Sequence, residues 1–366
     1  MKLILLAENL QKKLSFVTHA ISSKSQLPIL SHILLDARED FLYVSATDLE
    51  IGIEVKIPAQ IEEVGATTVP AKLFLELISS LPQEKITLQT EGNNLEVIGK
   101  KTKSLLQTAS SEEFPSLYED LGQAVVTFAA KEAKHLFSQV VFSASVESTR
   151  PALSGVLLKK TPEETVVVAT DGYRLSLERI LQQNSSENYQ VIIPARVIKE
   201  VISLDEEKNI SFHISSHNNQ IVFSQEDVII VGRLIESEFP QYQKIIPQEF
   251  ATKVTVDRDA LFKAVKTSAI FARETTNIIR FSIFKEKMII SAKTPSLGEN
   301  TVDIDSQLEG EENEIAFNAR YLIDALSHIE AEQLVFEMTG PLNPGVFKIA
   351  NNNNFLHLIM PIRTQG

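Results

Sequence analysis

Apolar residues recur along the chain at two alternating spacings. Leu10, Leu14 and Val17 fall three and four apart, Leu136 and Val140 four apart, and Leu261 and Val265 likewise, which puts each set on one helical face. Runs over residues 41–46, 165–170 and 287–292 are rich in β-branched residues and are bounded by turn chemistry, so they predict strands. A second helical pattern starts at each of Pro70, Pro194 and Asn318, and strand patterns over 85–90, 209–214 and 333–338 follow it. The order helix, strands, helix, strands therefore occurs three times. Hairpin signals over 91–94 and 216–219 favour antiparallel pairing, and the expected class is α+β.

The three occurrences are copies of one unit. The segment Val69–Ile78 recurs as Ile193–Ile202 and again as Phe317–Leu326, offset by 124 residues each time. Pro28 matches Pro151 and Thr47-Asp48 matches Thr170-Asp171, both at 123, while Phe114-Pro115 matches Phe239-Pro240 at 125. A third of 366 residues is about the same length, so three tandem domains fill the chain, over 1–120, 121–248 and 249–366.

Composition narrows the function. The chain has no cysteine, which excludes disulfide frameworks and thiolate metal sites and fits a cytoplasmic address. The apolar run near Met1 is four residues long, too short for a secretory signal, and no stretch approaches a membrane span. A net charge of −13 argues against a surface that grips nucleic acid everywhere. That charge is unevenly spread, however: the six helical segments together carry +6, which leaves −19 for the strands and loops. Lys12, Lys13, Lys24, Lys134, Lys199, Lys263 and Lys266 belong to the basic share.

Lys72, Arg196 and Arg320 hold one register in all three copies, in the first turn of the second helix. Unpaired N–H groups already make that end positive, so a cation there costs a few tenths to ~1 kcal/mol. Ion pairs with Glu76, Glu200 and Asp324 four residues on are one explanation, although with the cation N-terminal this is the weaker orientation. Presentation of cations to a polyanion is the other. No base-reading motif accompanies them, so contact would be to phosphates, without sequence preference and sensitive to salt.

Catalytic signatures are missing. The sequence has no phosphate-binding glycine loop and no nucleophile elbow. The close pair His213 and His217 lacks metal-ligand company, and no metal or cofactor is expected. Asp171 before Gly172 reads as a turn carboxylate, and Asp303 and Asp305 as solvated surface.

The stretches Leu27–Leu30, Ala46–Glu50, Ala169–Leu175, Phe239–Tyr242 and Met360–Arg363, in that order, resemble the β subunit of bacterial DNA polymerase III, the replicative sliding clamp, over the whole length. The resemblance implies a non-enzymatic homodimeric ring, closed head to tail, with helices inside and antiparallel sheets outside, that encircles duplex DNA. It implies Lys24, Lys72 and Arg196 as cations that approach DNA, and the charge on the helices adds Lys12, Lys134, Lys199, Lys266 and Arg320 as further DNA-facing candidates. It also implies a groove between the second and third domains for short peptides of the polymerase III catalytic subunit, the clamp loader, other polymerases and repair proteins. The matching groove residues are Leu153, Thr170, Gly172, Arg174, Leu175, Pro240, Ile245, Met360, Pro361, Ile362 and Arg363. Ile270 and Phe271 match the closing interface, and Leu105 and Leu106 are the candidates across from them. Lys244, Glu147 and Ser104 depart from the family pattern. Two other classes stay open on the residues alone: a three-domain protein-binding adaptor that never surrounds DNA, and a nucleic-acid enzyme built on Asp48, Asp171 and Asp303.

Overall fold

Each copy opens on a strand, not on its helix as the periodicity predicts. In the computed structural model, Lys2–Leu6, Val126–Ala129 and Thr252–Asp257 precede the first helices. Short apolar runs such as that at Leu3–Leu6 suit either period, and here Leu3 and Leu5 alternate inward. The structure describes residues 1–21, 27–119, 121, 124–147, 149–181, 188–215, 219–273, 277–294 and 298–363. Lys24 and His217 lie outside the described residues.

The helices are α1 (Ala7–Val17), α2 (Ala71–Ser80), α3 (Ala130–Val141), α4 (Ala195–Ile202), α5 (Arg258–Ala272) and α6 (Ala319–His328). Their apolar stripes are buried, through Leu10, Leu14 and Val17 on α1 and Leu261 and Val265 on α5. Side chains close some helix ends: Gln11 Nε2 of α1 donates to the carbonyls of Ile78 (2.6 Å) and Leu81 (3.1 Å) at the end of α2. Arg258 Nε of α5 donates to Ile329 O, 3.1 Å away, just past α6.

The described residues form two compact units, one of residues 1–133 with 199–234, the other of 134–198 with 235–366. The first holds a five-stranded sheet in the order Gln60–Glu63, Lys2–Leu6, Lys85–Glu91, Asn94–Ile98, Lys103–Gln107. It also holds an eight-stranded sheet in which Val228–Arg233 of the middle copy pairs antiparallel with Ile51–Pro58 of the first. A twelve-stranded sheet runs through the second unit, where Asn352–Ile359 of the third copy pairs with Arg174–Leu181 of the middle one. Copies are thus joined by strand pairs, which is why the units cut through the middle repeat. The third core is filled by Phe281, Phe317, Phe336 and Phe347, whose rings meet edge-on or tilted.

Asn352–Ile359 is an inner strand between Gly345–Ile349 and Arg174–Leu181, and Met360 to Arg363 run on beyond it.

Candidate partner groove and nucleic-acid face

The repeated Thr-Asp pair builds a tight turn in the second unit. Thr170 Oγ1 donates to Arg174 O (2.6 Å) and accepts from Gly172 N (3.1 Å), while Asp171 Oδ1 accepts from the amides of Tyr173 (2.9 Å) and Arg174 (3.0 Å). Gly172 sits at φ +91°, which a side chain would disfavour. Asp171 is therefore a structural turn carboxylate, as its sequence context suggested.

Arg174 is the hub of this site and is buried. Its guanidinium donates to Asp171 Oδ2 (3.1 Å), Asp324 Oδ2 (2.7 Å) and Phe142 O (2.9 Å), and lies 4.7 Å from the centre of the Tyr321 ring. Tyr173 stacks on Tyr321 at 6.4 Å. Burial, then the nearby Asp171 carboxylate, pushes the Tyr321 phenol upward. Met360 N donates to Tyr173 O (2.8 Å) and so ties this stretch to the same turn, while Ile362 N donates to Ala316 O (2.8 Å) on the strand Asn313–Asn318.

These elements frame an apolar floor of Leu175, Leu177, Tyr242, Val346 and Leu358, with Phe239 and Ile246 partly buried beside it. Of the groove residues expected from sequence, Leu153, Thr170, Arg174 and Leu175 are buried; Pro361 and Ile362 are half-buried. Gly172, Pro240, Ile245, Met360 and Arg363 are exposed. Tyr173, Tyr321, Asp324 and Val346 belong to the arrangement, although the motifs do not single them out. Tyr321 follows the repeated cation directly, but the other copies have Leu73 and Val197 there, so the repeat gives no sign of it.

The repeated cations stand at the second residue of α2, α4 and α6, and all three are exposed. Two of the acidic residues four positions on are engaged elsewhere: Glu200 Oε2 pairs with His19 Nδ1 (2.9 Å) and Asp324 with Arg174. Among the described residues, no carboxylate lies within ion-pair distance of Lys72 or Arg320. Lys12, Lys199 and Lys266 are exposed and Lys134 is half-buried. Lys266 Nζ rests 4.1 Å above the centre of the Phe262 ring.

On the strand Lys103–Gln107, Leu105 is 59% exposed while Leu106 is buried, as alternation requires. Ile270 is exposed near the end of α5, and Phe271 packs on the third core.

The carboxylates of the enzyme reading are spent on structure. Asp48 accepts the amides of Glu50 and Ile51, Asp171 closes its own turn, and Asp303 pairs with Lys287 at 2.7 Å. A Ser176–His357 contact of 2.7 Å resembles a nucleophile and base, but both residues are fully buried. Burial and the adjacent Arg174 push His357 down to about 3, so the ring is neutral. Its Nε2 finds no partner among the described residues. No group of three potential metal ligands occurs among them either.

Comparison with known proteins fixes the lineage. Models of the DNA polymerase III beta subunit match in chain order: the N-terminal domain over residues 1–118, the central domain over 127–241 and the C-terminal domain over 243–363. The chain belongs to the DNA polymerase III beta subunit family. Beta sliding clamps of Staphylococcus epidermidis and Staphylococcus aureus are 28% and 29% identical over 356 and 358 residues, 94% of each chain. The solved sliding clamp of Bacillus subtilis is 28% identical and superposes over the full length of both chains with a TM-score of 0.95. A Pseudomonas aeruginosa clamp, 26% identical with a TM-score of 0.92, was solved bound to griselimycin. As a beta subunit, the chain is a DNA sliding clamp and not a catalyst. No helix among the described residues is long and apolar enough to cross a membrane.

Proposed function

We propose that two copies close head to tail into a ring around duplex DNA in the cytoplasm, and that partners dock by short peptides in the groove around Arg174. The observation that carries the ring is a leftover strand edge in each unit. Pairing runs Leu88 to Val97 to Ser104 in the first copy, Phe212 to Phe223 to Ile230 in the second, and Phe336 to Phe347 to His357 in the third. The next residues, Leu105, Val231 and Leu358, are therefore equivalent. Val231 is buried opposite Gly52 and Leu358 opposite Leu175, whereas Leu105 is exposed on the sheet edge.

The complementary edge belongs to the third copy. Its strand Gly298–Gly310 pairs with Lys287–Thr294 through Asp305 and with Thr252–Asp257 from Ser306, so one side of residues 298–305 is unpaired among the described residues. Lys100, Lys101 and Lys103 lie on or beside the first edge and Glu299, Asp303 and Asp305 on the other, so the two edges carry opposite charge. An unpaired edge is a template for strand addition. With retention supplied by enclosure, the first-turn cations need only weak phosphate contacts, compatible with sliding.

Sedimentation of Leu105→Asp tests the closure. Wild type is expected to be dimeric at micromolar concentration and the variant monomeric with a native circular dichroism spectrum. A variant that remains dimeric would overturn this interface.

A further inference from the structure

The groove turn of the second unit has a twin at the seam between the first and middle copies, and the twin opens into a pocket. Thr47 Oγ1 donates to Ile51 O (2.9 Å) and accepts from Leu49 N (3.0 Å); Asp48 Oδ1 accepts from Glu50 N (3.0 Å) and Ile51 N (2.9 Å). Arg233 N donates to Glu50 O (2.9 Å), just as Met360 N donates to Tyr173 O. Five backbone-defining bonds are thus repeated. The pocket lies among Leu49, Glu50, Pro115, Leu117, Val231 and Arg233.

We infer that this first-seam pocket is a second docking site, for a short peptide presenting an apolar side chain next to an acidic one. The inference rests on the reading of the Arg174 groove as a peptide site. Three substitutions between the twins define the ligand. Leu49 replaces Gly172 and keeps its left-handed backbone, at φ +76°, although a residue with a Cβ is disfavoured there. Burial does not offset that, since Leu49 is 50% exposed. A strained residue that presents an apolar side chain to solvent marks a contact surface.

Leu117 replaces Tyr242 and forms the floor with Val222 and Val231. Gly52 makes room for it: a Cβ there would lie 2.8 Å from Leu117 Cδ2. Arg233 replaces Met360, is exposed, and has no acceptor bonded to its guanidinium among the described residues. An apolar side chain against Leu49, Pro115 and Leu117 therefore leaves the neighbouring carboxylate to Arg233, in a charge-assisted contact. Glu50 on the same turn sets the orientation by repelling that carboxylate.

The test is the stoichiometry of a decapeptide containing Leu-Leu-Asp, titrated calorimetrically into the full-length clamp. Wild type should take two peptides per chain, Met360→Glu one, Leu49→Gly with Arg233→Glu one, and the combination none. Leu49→Gly suits the backbone, so the melting temperature should not fall. One peptide per wild-type chain, lost in Met360→Glu, would overturn the second site and leave the groove standing. One peptide that survives Met360→Glu and is lost in the first-seam variant would uphold the second site and overturn the groove. Two peptides on the first-seam variant would overturn this proposal, and none on wild type would overturn both.

Discussion

Replacing Arg174 by alanine should loosen both the fold and the groove, because one guanidinium serves three acceptors from different elements. The bonds to Asp171 (3.1 Å) and Phe142 O (2.9 Å) are buried, and hydrogen bonds of charged groups are worth about 1.5–3 kcal/mol each. Asp324 is 45% exposed, so its bond is screened and adds only about 0.5 kcal/mol. The sum is about 3.5–6.5 kcal/mol, which overlaps the cost of removing one partner of a buried pair. At about 2–4 °C per kcal/mol, the melting temperature drops by roughly 7–26 °C. Calorimetric melting and peptide titration check this together, since the turn that Arg174 braces also holds Met360 through Tyr173 O. Arg174→Lys should recover less than half of the loss, because an ammonium cannot span the fork. A melting temperature within about 2 °C of wild type for Arg174→Ala, with unchanged peptide affinity, would refute the reasoning.

Converting Lys72, Arg196 and Arg320 together to glutamate should weaken DNA loading, and lower the salt dependence by about 0.9 for each phosphate no longer neutralised, while leaving peptide affinity unchanged. Truncation after Ile359 keeps the strand Asn352–Ile359 whole, so peptide titration should show no binding while circular dichroism stays native. Burial raises the Glu178 carboxyl to about 7, with Arg179 opposing the shift. A folded pKa above the unfolded one means the native state holds the extra proton, so stability falls as pH rises from about 4.5 to 7. Urea titrations of Glu178→Gln should lack that slope and show greater stability at pH 8; an unaltered slope would contradict the assignment.

Much of this architecture was legible because it is written three times. The 124-residue step exposed α2, α4 and α6 and the cations in their first turns, and alternation exposed the strands over 41–46, 165–170 and 287–292. The opening strands were hidden, since a run such as Leu3–Leu6 has no polar position to reveal its period. The pairing of the last strand was hidden for a different reason. Its apolar residues face two neighbouring strands from different copies, and sequence spacing says nothing about a partner more than 170 residues away. Within the groove, the Thr-Asp turn was readable from its own chemistry. The engagement of Asp324 by Arg174 was not, because helix spacing pointed to Arg320 instead.

Retention on DNA topology tests the central claim most directly. Clamps loaded onto nicked circular duplex should stay bound through gel filtration and be released when a single cut linearises the circle. Equal retention on the cut and uncut molecules would show that contact, not enclosure, holds the protein to DNA.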